Sequence, residues 1–283
     1  FLVMGISIFT HFYRIEYTYI FQNDEGRDAL IAFKMIDSGR PVLLGPETSV
    51  GNMYLGPFYY YLMVPGLILS KLDPVGPAIM VALLGIITTY LVFLLGKKSF
   101  GYWVGLASAL FYTLSPIMLH HSRNSWNPNV IAFFVSLLLL LPNLKKPIWQ
   151  LCFGFLTGII FQLHYVALIL PGLLFLTASF DYLRNHKFKS FVTFCLVALA
   201  GFLISSSPFW LFEYRHAFVN SSAFITYLSS KTSGDSIQTT YFGRVANNLR
   251  LLVDGVFYSS SLTPKIPAYL TSLTIVAFFS TLI

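Results

Sequence analysis

Long apolar runs recur along most of this 283-residue chain, and they constrain its fold more than any other feature. A helix needs about 20 apolar residues to cross the hydrocarbon of a bilayer, where only helices and closed barrels satisfy every backbone polar group. The runs that predict spanning helices are 77–96, 101–119, 128–143, 148–164, 165–180, 190–211 and 266–283, after a shorter apolar segment at 1–13. Because 56% of the residues are hydrophobic and only 10% are charged, the sequence predicts an all-α, polytopic integral membrane protein.

Both ends of the chain interrupt this pattern. The sequence opens without an initiator methionine, and only about a dozen apolar residues precede Arg14, which is too few for a full span. It closes within an apolar run. We therefore expect residues 1–283 to form a single transmembrane domain that is a fragment, cut at both ends.

The distribution of charge predicts how the chain is oriented. The run at 56–70 is ambiguous, because it is short and contains Pro65. If it does not span, three short loops share one side and carry one acidic residue, Asp181, against these basic residues: Lys97, Lys98, Lys145, Lys146, Arg184, Lys187 and Lys189. Short basic loops stay in the cytoplasm. This predicts large extracytoplasmic loops at 14–76 and 212–265, with 56–70 as an interfacial or re-entrant helix at the outer surface.

Several tyrosines lie in or beside that ambiguous run: Tyr54, Tyr59, Tyr60 and Tyr61. Aromatic rings with a polar tip favour the boundary between membrane and water. We therefore expect these side chains to anchor the segment at the outer interface. Stacking against a sugar is the alternative interpretation.

The densest charge in the chain lies in the stretch QNDEGRDAL, residues 22–30. Asn23 is predicted to cap a helix that runs from Asp24 to about Ser38, and Gly39 is placed to end it. At 3.6 residues per turn, one stripe of this helix is charged and another is apolar; the first holds Asp24, Arg27 and Asp28, and the second holds Ala29, Phe33 and Ile36.

This helix is predicted to lie on the membrane with its charged stripe exposed. Two interpretations are open at this point. The charges either solvate an interfacial helix or form a functional site.

Several motifs together resemble a known family. They are NDEGRDALIAFKMIDSG, LLGPETSVGNMYLGPFYYYL, GKKSFG, SRNSWNPN and PFWLFEYRHAFVN, in that order. The set resembles the GT-C glycosyltransferases of the protein O-mannosyltransferase and aminoarabinose transferase type, the glycosyltransferase family 39-like group. The resemblance implies a GT-C-like helical bundle with amphipathic juxtamembrane helices in the first extracytoplasmic loop.

The resemblance also implies an activity. The expected reaction moves a sugar, with inversion, from a polyprenyl-phosphate donor to a lipid, protein or glycan acceptor outside the cytoplasm. We expect the protein in the cytoplasmic membrane of a bacterium or archaeon, with membrane lipids as partners. No nucleic acid partner is expected. No nucleotide site is expected either, since the sequence has no glycine-rich phosphate loop.

Roles for the charged residues of the first loop follow from the same resemblance. Asp24 is expected to be the general base that deprotonates the acceptor, and Arg27 to hold the lipid phosphate through its fork of donors. Glu25 is counted with Asp24 as catalytic, and either orients a helix end or binds the acceptor. The aminoarabinose transferases have a Glu-Lys pair before a later proline, where this chain has Leu55 and Gly56. No cofactor and no metal ligands are predicted, although a divalent metal stays open.

Two later outer segments supply further candidates for substrate binding. Arg123 and Asn127 lie in the short turn LHHSRNSWNPN, where Arg123 is expected to contact the phosphate or the donor sugar. The alternative is a plain interfacial turn. Glu213, Arg215 and His216 open the second large loop and form either a wall of the acceptor site or a juxtamembrane ion pair.

Two other classes of protein compete with the transferase. A multispan transporter or lipid flippase is predicted to hold ionisable residues or broken helices around a pathway at the middle of the membrane. A structural subunit would need no site at all. In this chain almost all the charge lies at the outer mouth and in the cytoplasmic loops, which favours chemistry at a surface.

Overall fold

The computed structural model of the protein describes residues 1–49 and 53–229. The predicted span at 266–283, and the second large loop beyond residue 229, lie outside the described residues. The helices of the described part are α1 (Leu2–Phe12), α2 (Ile15–Thr18), α3 (Asn23–Ser38), α4 (Phe58–Leu69), α5 (Val75–Phe100), α6 (Tyr102–Leu114), α7 (Pro116–His121), α8 (Ile131–Leu140), α9 (Pro147–Leu163), α10 (Ile169–Arg184), α11 (Phe188–Ser205), α12 (Ser207–Arg215) and α13 (Val219–Ser229).

Within the described part of the chain, three stretches of helix are long and apolar enough to cross a membrane: Val75–Phe100, Tyr165–Arg184 and Phe188–Ser205. The second begins with a short 3-10 turn that continues into α10. Shorter apolar helices accompany them: Leu2–Phe12, Phe58–Leu69, Tyr102–Leu114, Asn127–Leu140 and Pro147–Leu163. Each predicted span within the described residues therefore corresponds to an apolar helix.

Two predicted helices are broken. The run 101–119 divides at Ser115, whose backbone is extended (φ −64°, ψ 120°) because the ring of Pro116 disfavours helical geometry in the preceding residue. The run 190–211 divides at Ser206, and Pro208 lies in the first turn of α12. Pro116 is the first residue of α7 and Pro208 the second residue of α12, and at these positions the missing N–H of proline removes no helical hydrogen bond.

Glycines bring the helices of the bundle into backbone contact. A Cβ atom built on Gly154 of α9 would lie 1.8 Å from the carbonyl oxygen of Ala198 in α11. On the other side of this contact, a Cβ on Gly201 would lie 2.2 Å from the carbonyl oxygen of Leu151. Small residues allow such close approach between membrane helices, where van der Waals packing drives association.

Hydrogen bonds join the segments that are predicted to share the outer side. The backbone N–H of Ile20 donates to Asn124 Oδ1 at 2.5 Å, and the N–H of Tyr54 donates to Asn220 Oδ1 at 2.9 Å. The hydroxyl of Tyr165 donates to the carbonyl oxygen of Tyr54. The first loop therefore packs against the later outer segments and forms one layer with them.

One face of the helix α4 is buried in the hydrophobic core of the protein. Tyr59, Tyr60, Met63 and Leu67 follow one face of α4, and all four are buried. The prediction that Tyr59 and Tyr60 anchor the segment at the membrane surface is therefore wrong, since their exposed fractions are 0% and 1%. Tyr59 instead shares a hydrogen bond of 2.9 Å with Ser125 Oγ.

The charged segment forms helix α3 with nearly the predicted bounds. Gly39 follows it in the left-handed region at φ 63°, so glycine ends the helix as predicted. The predicted cap is wrong by one residue, because Asn23 lies inside the helix and Gln22 holds the cap position without a side-chain hydrogen bond. The helix packs against α4 through its buried residues, which include Ala29 and Ala32.

Candidate functional site

The first two turns of α3 bring Asp24, Arg27 and Asp28 into one cluster. Arg27 Nη1 donates to Asp24 Oδ1 at 2.9 Å. Arg27 Nε and Nη2 both reach Asp28 Oδ1 at 2.8 Å. The contact between Asp24 and Arg27 follows from helical spacing, because residues three positions apart lie on the same side of a helix. Arg27 and Asp28 are neighbours in the chain, and the long side chain of Arg27 reaches the carboxylate beside it. The guanidinium group therefore lies between two carboxylates.

The two carboxylates differ in burial. The side chains of Asp24 and Arg27 are 46% and 40% exposed, whereas that of Asp28 is 0% exposed. The prediction of an exposed charged stripe is therefore wrong for Asp28, because α3 packs against α4 on this side. The hydroxyl of Tyr60 donates to Asp28 Oδ1 at 3.3 Å. Asp28 Oδ2 is buried, and over residues 1–49 and 53–229 it has no hydrogen-bond partner.

Burial also sets the protonation of the cluster. It raises the pKa of Asp28 to about 6, against the opposing effect of the hydrogen bond and charge of Arg27. For Arg27, burial lowers the pKa, but the hydrogen bond and charge of Asp28 outweigh this and hold the pKa above its ordinary value. The cluster thus contains one permanent cation, one exposed acid and one buried acid.

This arrangement suits the binding of an anion beside a proton acceptor. Each Nη atom of a guanidinium carries a second N–H, so Arg27 keeps donors for an anionic ligand while it contacts both carboxylates. Bidentate contact with phosphate is a common use of arginine. Asp24 is accessible at the same edge of the helix and can accept a proton from a bound molecule.

Glu25 lies in the first turn of α3 and is half-buried. Burial raises the pKa of the Tyr59 hydroxyl, and the charge of Glu25 adds to this effect. An acid in the first turn also interacts favourably with the helix dipole. Its catalytic role stays a prediction. Over residues 1–49 and 53–229, no three His, Cys, Asp or Glu side chains come together in a way that could hold a metal ion.

Arg123 and Asn127 contact the protein itself. Arg123 Nη2 donates to the carbonyl oxygen of Tyr13 at 2.6 Å and to the hydroxyl of Thr18, so this arginine holds the start of the first loop. Asn127 is buried, and its Nδ2 donates to the carbonyl oxygen of Leu163 at 2.7 Å. None of these contacts joins either residue to the cluster on α3. Their roles in substrate binding stay predictions.

Glu213 is a buried cap for the helix that follows it. Its Oε1 accepts from the N–H of Asn220 at 3.0 Å, and its Oε2 accepts from the N–H and the hydroxyl of Ser221 at 2.8 and 2.6 Å. Among the described residues Glu213 forms no ion pair with Arg215, so the alternative of a juxtamembrane ion pair between them is wrong. A role for Glu213, Arg215 and His216 in the acceptor site stays a prediction. Arg215 and His216 are exposed, and the ring of His216 stacks on Phe212.

Glu213→Gln is expected to lower the melting temperature of the full-length protein in detergent. A glutamine offers one acceptor oxygen and directs an NH₂ group at backbone donors, so the loss should be on the order of 1.5 to 3 kcal/mol. Fluorescence-detected thermal unfolding measures the change. Arg215→Gln, at an exposed neighbour, is the matched control and should melt like the wild type. Equal melting of the two variants would contradict the capping role.

The contact of the buried acid Asp28 with Tyr60 could not be predicted from the sequence. Tyr60 lies 32 positions from Asp28, and no local pattern connects them. The burial of Asp28 itself had a signal, because Ala29 and Ala32 lie on the same side of α3 and small side chains permit close packing. The contact between Asn220 and Tyr54 spans 166 positions, and no local sequence pattern indicates it either.

The fold is similar to that of two crystal structures of ArnT from Cupriavidus metallidurans. The apo structure has a TM-score of 0.62 at 19% identity, and the match covers 90% of this chain and 47% of that chain. The structure bound to undecaprenyl phosphate has a TM-score of 0.60 at 19% identity, and the match covers 90% of this chain and 48% of that chain. The chain thus spans about half the length of these structures. The likeness confirms the predicted GT-C-like helical membrane fold.

At the level of sequence, no curated protein matches this chain significantly. A family model does match, and it is described as dolichyl-phosphate-mannose-protein mannosyltransferase. The match covers residues 56–212, which is more than half of the 283 residues. The chain therefore belongs to the dolichyl-phosphate-mannose-protein mannosyltransferase family.

Proposed function

We propose that the complete protein transfers a sugar from a polyprenyl-phosphate donor to an acceptor on the extracytoplasmic face of a bacterial or archaeal membrane. One observation carries this proposal: a partly exposed carboxylate, Asp24, lies 2.9 Å from a partly exposed guanidinium, Arg27, on a helix of the first loop. The pair supplies a proton acceptor and a phosphate-binding cation at one place.

Similarity supports the class of donor. The family is named for dolichyl-phosphate mannose, and one of the similar ArnT structures is bound to undecaprenyl phosphate. Both are polyprenyl-type phosphates. The acidic cluster at 24–28 lies before the range that the family model matches, so its role is argued from the geometry of α3.

The proposed reaction is a single displacement. The acceptor O–H or N–H gives its proton to Asp24 while the acceptor atom bonds to the anomeric carbon of the sugar. The bond from that carbon to the phosphate oxygen breaks, and its electron pair leaves with the phosphate, which Arg27 holds. The products are the glycosylated acceptor and free polyprenyl phosphate. Attack from the face opposite the leaving group inverts the anomeric carbon.

A transfer assay with the purified full-length protein tests this function. The protein is incubated with a panel of polyprenyl-phosphate sugars and with lipid, protein and glycan acceptors, and the product masses are measured. We expect one acceptor to gain the mass of one sugar while polyprenyl phosphate is released. If no donor is consumed with any acceptor by protein that still binds undecaprenyl phosphate, the proposed transfer is wrong.

Arg27→Ala is expected to weaken the binding of undecaprenyl phosphate. Loss of a hydrogen bond between charged groups costs on the order of 1.5 to 3 kcal/mol, which corresponds to an affinity about 10- to 150-fold lower. The dissociation constants are measured in detergent by native mass spectrometry. The control is Arg40→Ala, which removes an exposed arginine just beyond the end of α3. Equal affinities of the wild type and the Arg27 variant would remove the assignment.

A further inference from the structure

The two carboxylates differ in the number of contacts that they make with Arg27 and in their burial. Asp28 contacts two nitrogens of the guanidinium, is fully buried and is itself held by Tyr60. Asp24 contacts one nitrogen and is nearly half exposed. One edge of the guanidinium is therefore fixed to the core formed by α3 and α4, whereas the other edge is paired with a side chain that is free to move.

The proposed reaction requires the movable pair to separate. In a single displacement, the attacking and departing atoms lie on opposite faces of the anomeric carbon, so the sugar has to lie between the base and the phosphate. A direct contact of 2.9 Å between Asp24 and Arg27 leaves no room for a sugar. An incoming phosphate also repels the carboxylate of Asp24, since both are anions.

We propose that Asp28 is a positioning residue that fixes one edge of the Arg27 guanidinium; this inference rests on the proposed function. The donor phosphate then replaces Asp24 at the other edge of the guanidinium, and Asp24 is free to act as the base. Binding of the donor thus releases the general base, because Asp24 becomes available only after the phosphate has taken its place at Arg27. Binding of the donor is expected to precede binding of the acceptor.

The energetics of Asp28 fit a role in function better than a role in stability. Its Oδ2 is buried and has no hydrogen-bond partner among the residues that the structure describes, which is costly for a carboxylate. In the described part of the chain, the ionisable groups that face it are Arg27 and Asp24 from α3, and Tyr60 and Tyr59 from α4. Only one of them is a cation, and burial raises the pKa of Asp28 to about 6 despite this cation.

Asp28→Asn in the full-length protein tests the proposal, because asparagine keeps the shape and one oxygen but removes the charge. With the guanidinium no longer fixed, the transfer rate should fall about tenfold to hundredfold. The affinity for undecaprenyl phosphate should not fall, since a negative charge near the phosphate is removed. Asp28→Glu, which restores the charge, should recover part of the rate.

A second measurement needs no sugar. At about pH 8 the wild-type Asp28 is ionised, so Asp28→Asn should bind undecaprenyl phosphate more tightly and melt at a higher temperature than the wild type. At about pH 5 Asp28 is protonated in the folded protein, so the difference in affinity should vanish. The difference in melting temperature should shrink at pH 5 and vanish only below about pH 3.8, the ordinary pKa of the carboxyl in the unfolded chain. Comparing the two proteins at each pH cancels the titration of the phosphate itself.

The outcomes separate this proposal from the proposed function. Wild-type transfer by Asp28→Asn, or equal affinities of the two proteins at both pH values, overturns the positioning role. A lower melting temperature and weaker binding at about pH 8 would make Asp28 a structural residue and also overturn it. If Asp28→Asn fails to fold, Tyr60→Phe tests the positioning role instead, because it removes only the hydroxyl that donates to Asp28. This variant should lower the transfer rate without weakening the binding of undecaprenyl phosphate. Failure of the proposed function is a different result, namely no transfer by the wild type.

Discussion

Asp24→Asn should abolish sugar transfer by the full-length protein while leaving folding and donor binding intact. Asparagine has nearly the shape of aspartate but cannot take a proton, and a positioned general base contributes about 10²- to 10⁴-fold to a rate. The side chain of Asp24 is 46% exposed and makes one ionic contact, so its loss should change the stability by about 1 kcal/mol or less.

The same variant separates the chemistry from binding. Arg27 keeps both contacts with Asp28 when Asp24 is neutral, so undecaprenyl phosphate should bind at least as tightly as to the wild type. The transfer rate and the dissociation constant are measured on the same preparation. Asp37→Asn is the matched control, because it makes the same change at an exposed position of α3 and should leave the rate unchanged.

A purified Asp24→Asn protein that transfers sugar at the wild-type rate would refute the role of Asp24 as the base. Loss of transfer together with loss of binding would instead assign Asp24 to donor binding. Neither result would affect the fold, since α3 is held against α4 by its buried face, which includes Asp28, Ala29 and Ala32.

The membrane class and the order of helices were predictable because lipid allows few alternatives. Each apolar run must satisfy its backbone hydrogen bonds internally, so long runs become helices. The breaks at Ser115 and Ser206 were not predicted, although Pro116 and Pro208 lie beside them. Hydropathy does not register a proline within an apolar run, whereas backbone geometry does.

The contacts within the cluster were predictable for a local reason. Helical spacing places Asp24 on the same side of α3 as Arg27 and Asp28, which lie three and four positions further on, and Arg27 and Asp28 are neighbours in the chain. The burial of Asp28 depends on how α3 packs against α4, and this packing is tertiary. For the same reason the role of Glu213 was missed, since its partners belong to α13, which begins only after a turn.

The largest effect on stability is expected from Gly154→Ala. The new Cβ atom would lie 1.8 Å from the carbonyl oxygen of Ala198, so α9 and α11 would have to separate by more than an ångström. Overpacking costs typically 1 to 3 kcal/mol, and we expect about 3 kcal/mol here because the atom in the way belongs to the backbone. The variant should melt at a lower temperature in detergent and give less monodisperse protein in size-exclusion chromatography.

Gly172→Ala is the matched control, since it makes the same substitution inside α10. No atom of the described residues lies within 4 Å of a Cβ atom built there. Alanine favours a helix over glycine by about 1 kcal/mol, so this variant should melt at the wild-type temperature or above it. The two substitutions should thus shift the melting temperature in opposite directions. Equal melting of the two variants would show that the contact between α9 and α11 is looser than the structure has it.

The effect of Gly154→Ala should extend to the first loop. Gln162, in the last turn of α9, donates to the carbonyl oxygen of Ser205 at 2.8 Å. A Cβ atom on Gly56 would lie 2.1 Å from Gln162 Cγ, so the loop before α4 rests directly on α9. Because α4 supports the buried side of α3, a displaced α9 should disturb the positions of Asp28 and Arg27. We therefore expect the folded fraction of Gly154→Ala to transfer sugar more slowly than an equal amount of Gly172→Ala.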